Sequence, residues 1–238
     1  MSHDLAWARS VPATALREVV IVGVLAPLMD LYTRRSVEGR EYLAALDGPI
    51  LFVANHASHM DTPAILRALP AAWRRRTAVA AAADYFYAKR GLAALVALMF
   101  NTVPVARKGG EADATADLDR LIAQRWSLVI FAEGTRSRDG SVGKLHTGAA
   151  VLAAERELTI VPVFVSGTHQ TMPVGRAWMS RDHGKRRPVR VAFGPPIAPG
   201  SGEHRTEVMD RVRTFFADSG AETTVDKRIA RQRRSNVQ

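Results

Sequence analysis

The chain contains no cysteine. Disulfide bonds, thiolate catalysis and Cys-ligated zinc or iron–sulfur centres are therefore excluded. There is no Gly-x-Ser-x-Gly elbow, so a serine acyl-enzyme of the hydrolase type has no support. A Gly-x4-Gly-Lys-Ser/Thr phosphate loop is also missing, since the glycines of Gly140–Lys144 are wrongly spaced, and His-Glu-x-x-His does not occur. No internal repeat or low-complexity linker breaks the chain. Nor is there an uninterrupted apolar run of the ~20 residues that a membrane-spanning helix needs.

What is present is globular in composition: 238 residues, 47% hydrophobic and 24% charged. The length suits one domain, or one domain with an appendage. Lys and Arg number 33 against 23 Asp and Glu, a formal net charge of +10. That excess fits an anionic partner, whether nucleic acid, a membrane surface or a phosphorylated substrate, and equally fits a solvated surface.

Near the start, Val19–Met29 (VVIVGVLAPLM) is the longest apolar run, interrupted by Gly23 and Pro27 and followed by Arg34 and Arg35. Asp4 and Glu18, and the lack of a small-residue cleavage site, argue against a secretory signal. Two readings stay open: a core or covering helix, or an interfacial anchor flanked by Trp7 and the basic residues Arg17, Arg34 and Arg35.

From residue 50 onward, strand-like and helical runs alternate. Strands are expected at 49–55, 77–81, 101–105, 127–132, 158–167 and 189–194, with Pro104 marking an edge or a strand end. Helices are expected at 62–69 (Thr62 as N-cap, Pro63 at the first position), 111–125, 146–156 and 204–217. The run Leu92–Phe100 reads as a core helix or as an apolar stretch beside Arg74, Arg75 and Arg76. This alternation predicts a single α/β domain with a mainly parallel central sheet flanked by helices, plus an amino-terminal apolar helical segment. The expected division is 1–35 for that segment, a possible membrane anchor, 36–220 for the main domain and 221–238 for a basic tail. The tail carries Lys227, Arg228, Arg231, Arg233 and Arg234 but no aromatic residue for base stacking.

Two segments carry chemistry. Asn55–Asp61 (NHASHMD) lies between a strand and a helix, where sites gather in α/β sheets. A turn there can fold the Asp61 carboxylate onto one nitrogen of His56 and leave the other as a general base. A capping Asp61 and a satisfied polar His56 would give the same spacing. His59 is a structural or substrate-proximal residue, and with His56 it makes only an incomplete metal pair. Glu133–Ser137 (EGTRS) follows the strand at 127–132. Gly134 permits a tight turn. Backbone amides at Gly134 and Thr135 with the fork of Arg136 can seat a phosphate, while Glu133 can orient Arg136 or hold a hydroxyl. Alone, the segment is equally a polar loop with a salt bridge.

Together the two segments resemble the glycerophospholipid acyltransferase family, whose best-known members acylate 1-acylglycerol-3-phosphate. The family's His–four residues–Asp block matches His56 to Asp61, and its Glu-Gly-Thr-Arg-Ser block matches Glu133 to Ser137. Val103–Arg107 and Ile160–Thr168 match two further segments, and the likeness spans residues 35–200. Ala132 stands where Pro is commoner, and Leu145-His146 where an aromatic and a Lys are common.

The resemblance implies direct acyl transfer from acyl-CoA or acyl carrier protein to the free hydroxyl of a lysophospholipid, above all 1-acylglycerol-3-phosphate, to give phosphatidic acid. It implies catalysis by His56 and Asp61, and an acceptor held by Arg107, Glu133, Gly134, Thr135 and Arg136. No metal or bound cofactor is implied. Expected partners are the two substrates and an anionic membrane surface, with the protein peripheral or monotopic on its cytoplasmic face. Another acceptor (glycerol-3-phosphate, a glycolipid or an amino-acid lysolipid) is one alternative. A basic nucleic-acid-binding protein is another, which would leave both blocks unexplained.

Overall fold

The computed structural model describes residues 6–82, 90–105, 112–200 and 202–224. Arg107 and the basic run from Lys227 onward lie outside the described residues. Seven strands, β1 (Thr33–Glu38), β2 (Ile50–Ala54), β3 (Thr77–Ala82), β4 (Thr102–Val105), β5 (Ser127–Phe131), β6 (Thr159–Ser166) and β7 (Arg187–Phe193), form one sheet in the order β1-β7-β6-β2-β5-β3-β4. The five strands from β6 to β4 are mutually parallel; β7 is antiparallel to β6, and β1 is parallel to β7. Pro104 sits on the edge strand β4, where a missing N–H costs little.

The central strand β2 is buried along its whole length. Its alternate residues feed two cores: Ile50, Phe52 and Ala54 on one face, Leu51 and Val53 on the other. The first core takes Ala64, Ile65 and Ala68 from helix Asp61–Ala68. The second is covered by helices Ala112–Ala123, Gly148–Glu155 and Arg205–Asp218, whose Val208, Val212 and Phe216 are buried. The chain leaves β2 towards β3 and returns from β5, across β2, to β6. The loops after β2, β5 and β6 thus meet at the carboxyl end of the sheet, around the point where strand order reverses.

The apolar run at the start is part of a longer element than its sequence indicated. One helix spans Val11–Tyr32, 22 residues, long and apolar enough by length and composition to cross a membrane. Pro12 sits in its first turn, and Ser10 caps it by accepting from the Ala13 amide. Pro27 does not break the helix. The turns before it, Val19–Leu25, are widened to π-helical bonding, with the Ala26 amide donating to the Ile21 carbonyl. Such widening re-routes hydrogen bonds that a proline would otherwise leave unmade.

This helix docks through Ile21 and Met29 and is mostly not core. Val11, Leu16, Val19, Val22, Val24 and Leu31 are all exposed. Arg17 is buried at the joint with helix Arg90–Phe100 and donates to the backbone oxygens of Ala8, Ala97 and Leu98. That second helix, which contains the run Leu92–Phe100, buries Ala93 and Ala97 and exposes Leu95. Glu18 clamps Arg74 with both oxygens, at 2.7 and 2.8 Å.

β1 runs through residues 35 and 36, and one expected helix boundary moves. The helix expected to begin after a Thr62 cap begins at Asp61, with Met60 in the cap position. The Asp61 carboxylate faces backward, into the turn that precedes the helix.

Candidate active site

The turn after β2 is built around one carboxylate. Asp61 is fully buried. Its Oδ2 accepts the backbone amides of Ala57 and Ser58 at 2.7 and 2.8 Å and lies 2.8 Å from Nδ1 of His56. Its Oδ1 accepts the Thr168 hydroxyl at 2.6 Å. With Nδ1 of His56 turned to the Asp61 carboxylate, Nε2 is the ring nitrogen left for another partner. The His56 side chain keeps 17% of its surface, so the ring is held but reachable. Phe131, the last residue of β5, stacks on it with ring centroids 3.9 Å apart and planes 18° apart.

The turn is tied to β6 and to the residues that follow it. The Asn55 side chain donates to the Val165 carbonyl and accepts the Val165 amide, at 2.9 and 2.7 Å. It thereby substitutes for backbone just where β2 ends. The Ser58 hydroxyl donates to the Met172 carbonyl at 2.7 Å.

The Glu133–Ser137 segment continues the pairing of β5 with β2 beyond the strand ends. The Ala132 amide donates to the Ala54 carbonyl, and the Ser137 amide to the His56 carbonyl. Glu133 sits between these bonds. Its Oε1 accepts the His56 amide and its Oε2 the Gly143 amide, both at 2.8 Å. Burial pushes its carboxyl above the usual range, against the pull of those two amides. The sequence reading gave Glu133 to Arg136 or to a substrate hydroxyl; both of its oxygens are engaged by backbone of the site itself.

Gly134 adopts φ +65° and lies against the His146 ring, and Thr135 is exposed. Arg136 is half-buried and close enough for its charge to act on His59. Desolvation, the Arg136 guanidinium and the His56 ring lower His59 to about 4, so it is neutral at neutral pH.

The structure thus gathers His56, Asp61, Glu133, Gly134, Thr135 and Arg136 around one turn, and Arg107 lies outside the described residues. Phe131, Thr168 and Gly143 are contributors that the sequence did not single out for these roles. Thr168 closes the fourth family segment, and that segment was its available signal. Among the described residues, no three His, Asp or Glu side chains are grouped to hold a metal. An imidazole held at Nδ1 by a carboxylate and partly exposed can take a proton from a hydroxyl brought within reach of its other nitrogen.

Residues 34–166 match the family model described as Acyltransferase. The chain is 28% identical over 195 residues to a chloroplastic 1-acyl-sn-glycerol-3-phosphate acyltransferase of Brassica napus, covering 79% of this chain and 51% of that one. It is 30% identical over 191 residues to a chloroplastic 1-acyl-sn-glycerol-3-phosphate acyltransferase of Arabidopsis thaliana, covering 77% and 48%. The chain therefore spans about half the length of these curated relatives. Its fold resembles the crystal structure of the 1-acyl-sn-glycerophosphate acyltransferase PlsC from Thermotoga maritima. The TM-score is 0.64 at 22% identity, over 93% of this chain and 86% of that one.

Proposed function

Given that the chain belongs to the acyltransferase family, we propose that it moves a fatty acyl group from a thioester to the free hydroxyl of 1-acylglycerol-3-phosphate, giving phosphatidic acid. The donor is acyl-CoA or acyl carrier protein. The observation that carries this reading is the His56–Asp61 pair, 2.8 Å apart, on an imidazole that keeps 17% of its side-chain surface.

In this mechanism Nε2 of His56 takes the hydroxyl proton as the hydroxyl oxygen attacks the thioester carbonyl carbon. Asp61 orients the ring and stabilises the imidazolium. The tetrahedral intermediate then expels the thiolate, which takes the proton from the imidazolium, so the enzyme ends as it began. Arg136, with the backbone at Gly134 and Thr135 and with Arg107, holds the acceptor phosphate and sets the hydroxyl within reach of Nε2. No metal or bound cofactor enters this scheme. The names of the relatives support the acceptor.

The exposed apolar face of helix Val11–Tyr32 supports a monotopic seat on a membrane, where acceptor and product reside. The proposed seat is on the cytoplasmic face, the side on which a water-soluble thioester donor would be met.

The test is mass spectrometry of lipids formed from a mixed pool of lysolipids with acyl-CoA or acyl carrier protein thioester. Phosphatidic acid formed by the wild type, and lowered ~10²–10⁴-fold in a folded His56→Ala variant, is the expected result. Activity within tenfold of wild type in that variant would remove His56 from the role.

A further inference from the structure

The loop between β6 and β7 departs from the catalytic turn. The Ser58 hydroxyl holds the Met172 carbonyl, and the Ser180 amide donates to the Thr171 carbonyl at 2.8 Å. Beyond Met172 the loop carries Trp178, 58% exposed, and Val174, also exposed. A large apolar ring left in water has a cost of its own, so its surroundings bear on its purpose.

Those surroundings are the last turn of helix Val11–Tyr32. Trp178 Nε1 donates to the Tyr32 hydroxyl at 3.1 Å, and the two rings meet edge to face, with centroids 6.5 Å apart. Arg181 lies over the Tyr32 ring and donates to the Leu31 carbonyl at 2.9 Å; Arg186 donates to the Asp30 carbonyl. The free carbonyls at the helix end are thus taken up by guanidinium groups of the loop. Loop and helix end make one continuous surface, with Leu31 exposed beside them.

That surface is predominantly basic. Arg176, Arg181, Lys185 and Arg186 are all exposed, against two acids that are both paired, Asp182 with Arg187 and Asp30 with Arg67. An exposed Trp against a half-buried Tyr, with basic side chains around them, is the chemistry of the interface between water and an anionic leaflet.

We infer that the β6–β7 loop, around Trp178, is a second lipid-contacting element that docks onto anionic phospholipid together with the end of helix Val11–Tyr32. Trp178, Val174 and Leu31 enter the headgroup layer, and Arg176, Lys185 and Arg186 meet lipid phosphates. The catalytic end of the sheet then faces the leaflet. This rests on the reading of the chain as an enzyme of lipid acceptors, and it adds the surface and the orientation by which the acceptor arrives.

The experiment uses the full chain with phosphatidylcholine vesicles, with and without phosphatidylglycerol. Trp178 emission is isolated as the difference between the wild type and Trp178→Phe. It should shift to the blue in anionic vesicles and be quenched by acyl chains brominated near the headgroup. Arg176→Glu, at an exposed position, should lower partition into anionic vesicles by on the order of tenfold and leave the thermal midpoint unchanged. Trp178→Ala should lower partition into both kinds of vesicle.

Unchanged emission, with both variants partitioning as wild type, would overturn the inference. A monomeric short-chain 1-acylglycerol-3-phosphate separates this from the proposed activity, because Trp178→Ala should still acylate it. If the wild type acylates no acceptor, the proposed activity fails, while the vesicle measurements still decide the role of the loop.

Discussion

The Thr168 hydroxyl lies 2.6 Å from Oδ1 of Asp61, the carboxylate oxygen that His56 does not use. Asp61 is therefore gripped from both sides, by the turn that carries the imidazole and by the segment after β6. Hydrogen bonds to charged groups are worth about 1.5–3 kcal/mol, so this one bears on how firmly the ring is aimed. Thr168→Val should lower kcat by on the order of tenfold, with the KM for donor little changed, and Thr168→Ser should restore it. Steady-state kinetics of the three proteins checks this. A Val variant with unchanged kcat would reduce Thr168 to packing.

Glu133 makes a related prediction with a different readout. Each of its oxygens receives one backbone amide, from His56 and from Gly143. Glu133→Gln cannot satisfy both, because one end of the new side chain is itself a donor. A buried N–H left without its acceptor costs about 1–3 kcal/mol. Denaturant unfolding should show a loss of that size, and turnover should fall because the backbone of His56 is released. If stability holds and only the KM for acceptor rises, Glu133 belongs to substrate binding after all.

His59 gives the pH dependence. Its folded value is lowered to about 4, so between roughly pH 4 and its ordinary 6.5 the unfolded chain binds the proton and the folded chain does not. The contribution of His59 to stability therefore rises with pH across that window and is lost on acidification through it. His59→Gln should flatten this part of the curve in unfolding experiments run at a series of pH values. An NMR titration that places the wild-type ring near 6.5 would contradict the assignment.

The legible parts were local ones. β2, β5 and β6 are apolar runs bounded by polar turns, and His56 and Asp61 face each other across a single turn, so spacing alone brought them close. β1 was missed because its sequence, TRRSVE, is polar, and as an edge strand with only Thr33 buried it has little apolar alternation to show. Thr168 was missed for another reason. It meets Asp61 across 107 residues, and no local pattern encodes such a contact. The full extent of helix Val11–Tyr32 was hidden by Gly23 and Pro27, which read as interruptions until the π-helical turns absorb the proline. Trp178 stood in a stretch with no periodicity, and its environment exists only once the helix end packs beside it.

Arg17, sunk between two helices with its guanidinium on three carbonyl oxygens, gives the amino-terminal helix a character unlike that of a tether. Swinging the helix away would take the guanidinium from all three oxygens and open a buried joint, a cost that opposes its leaving the body. A bilayer that receives this helix therefore also meets the body that carries His56.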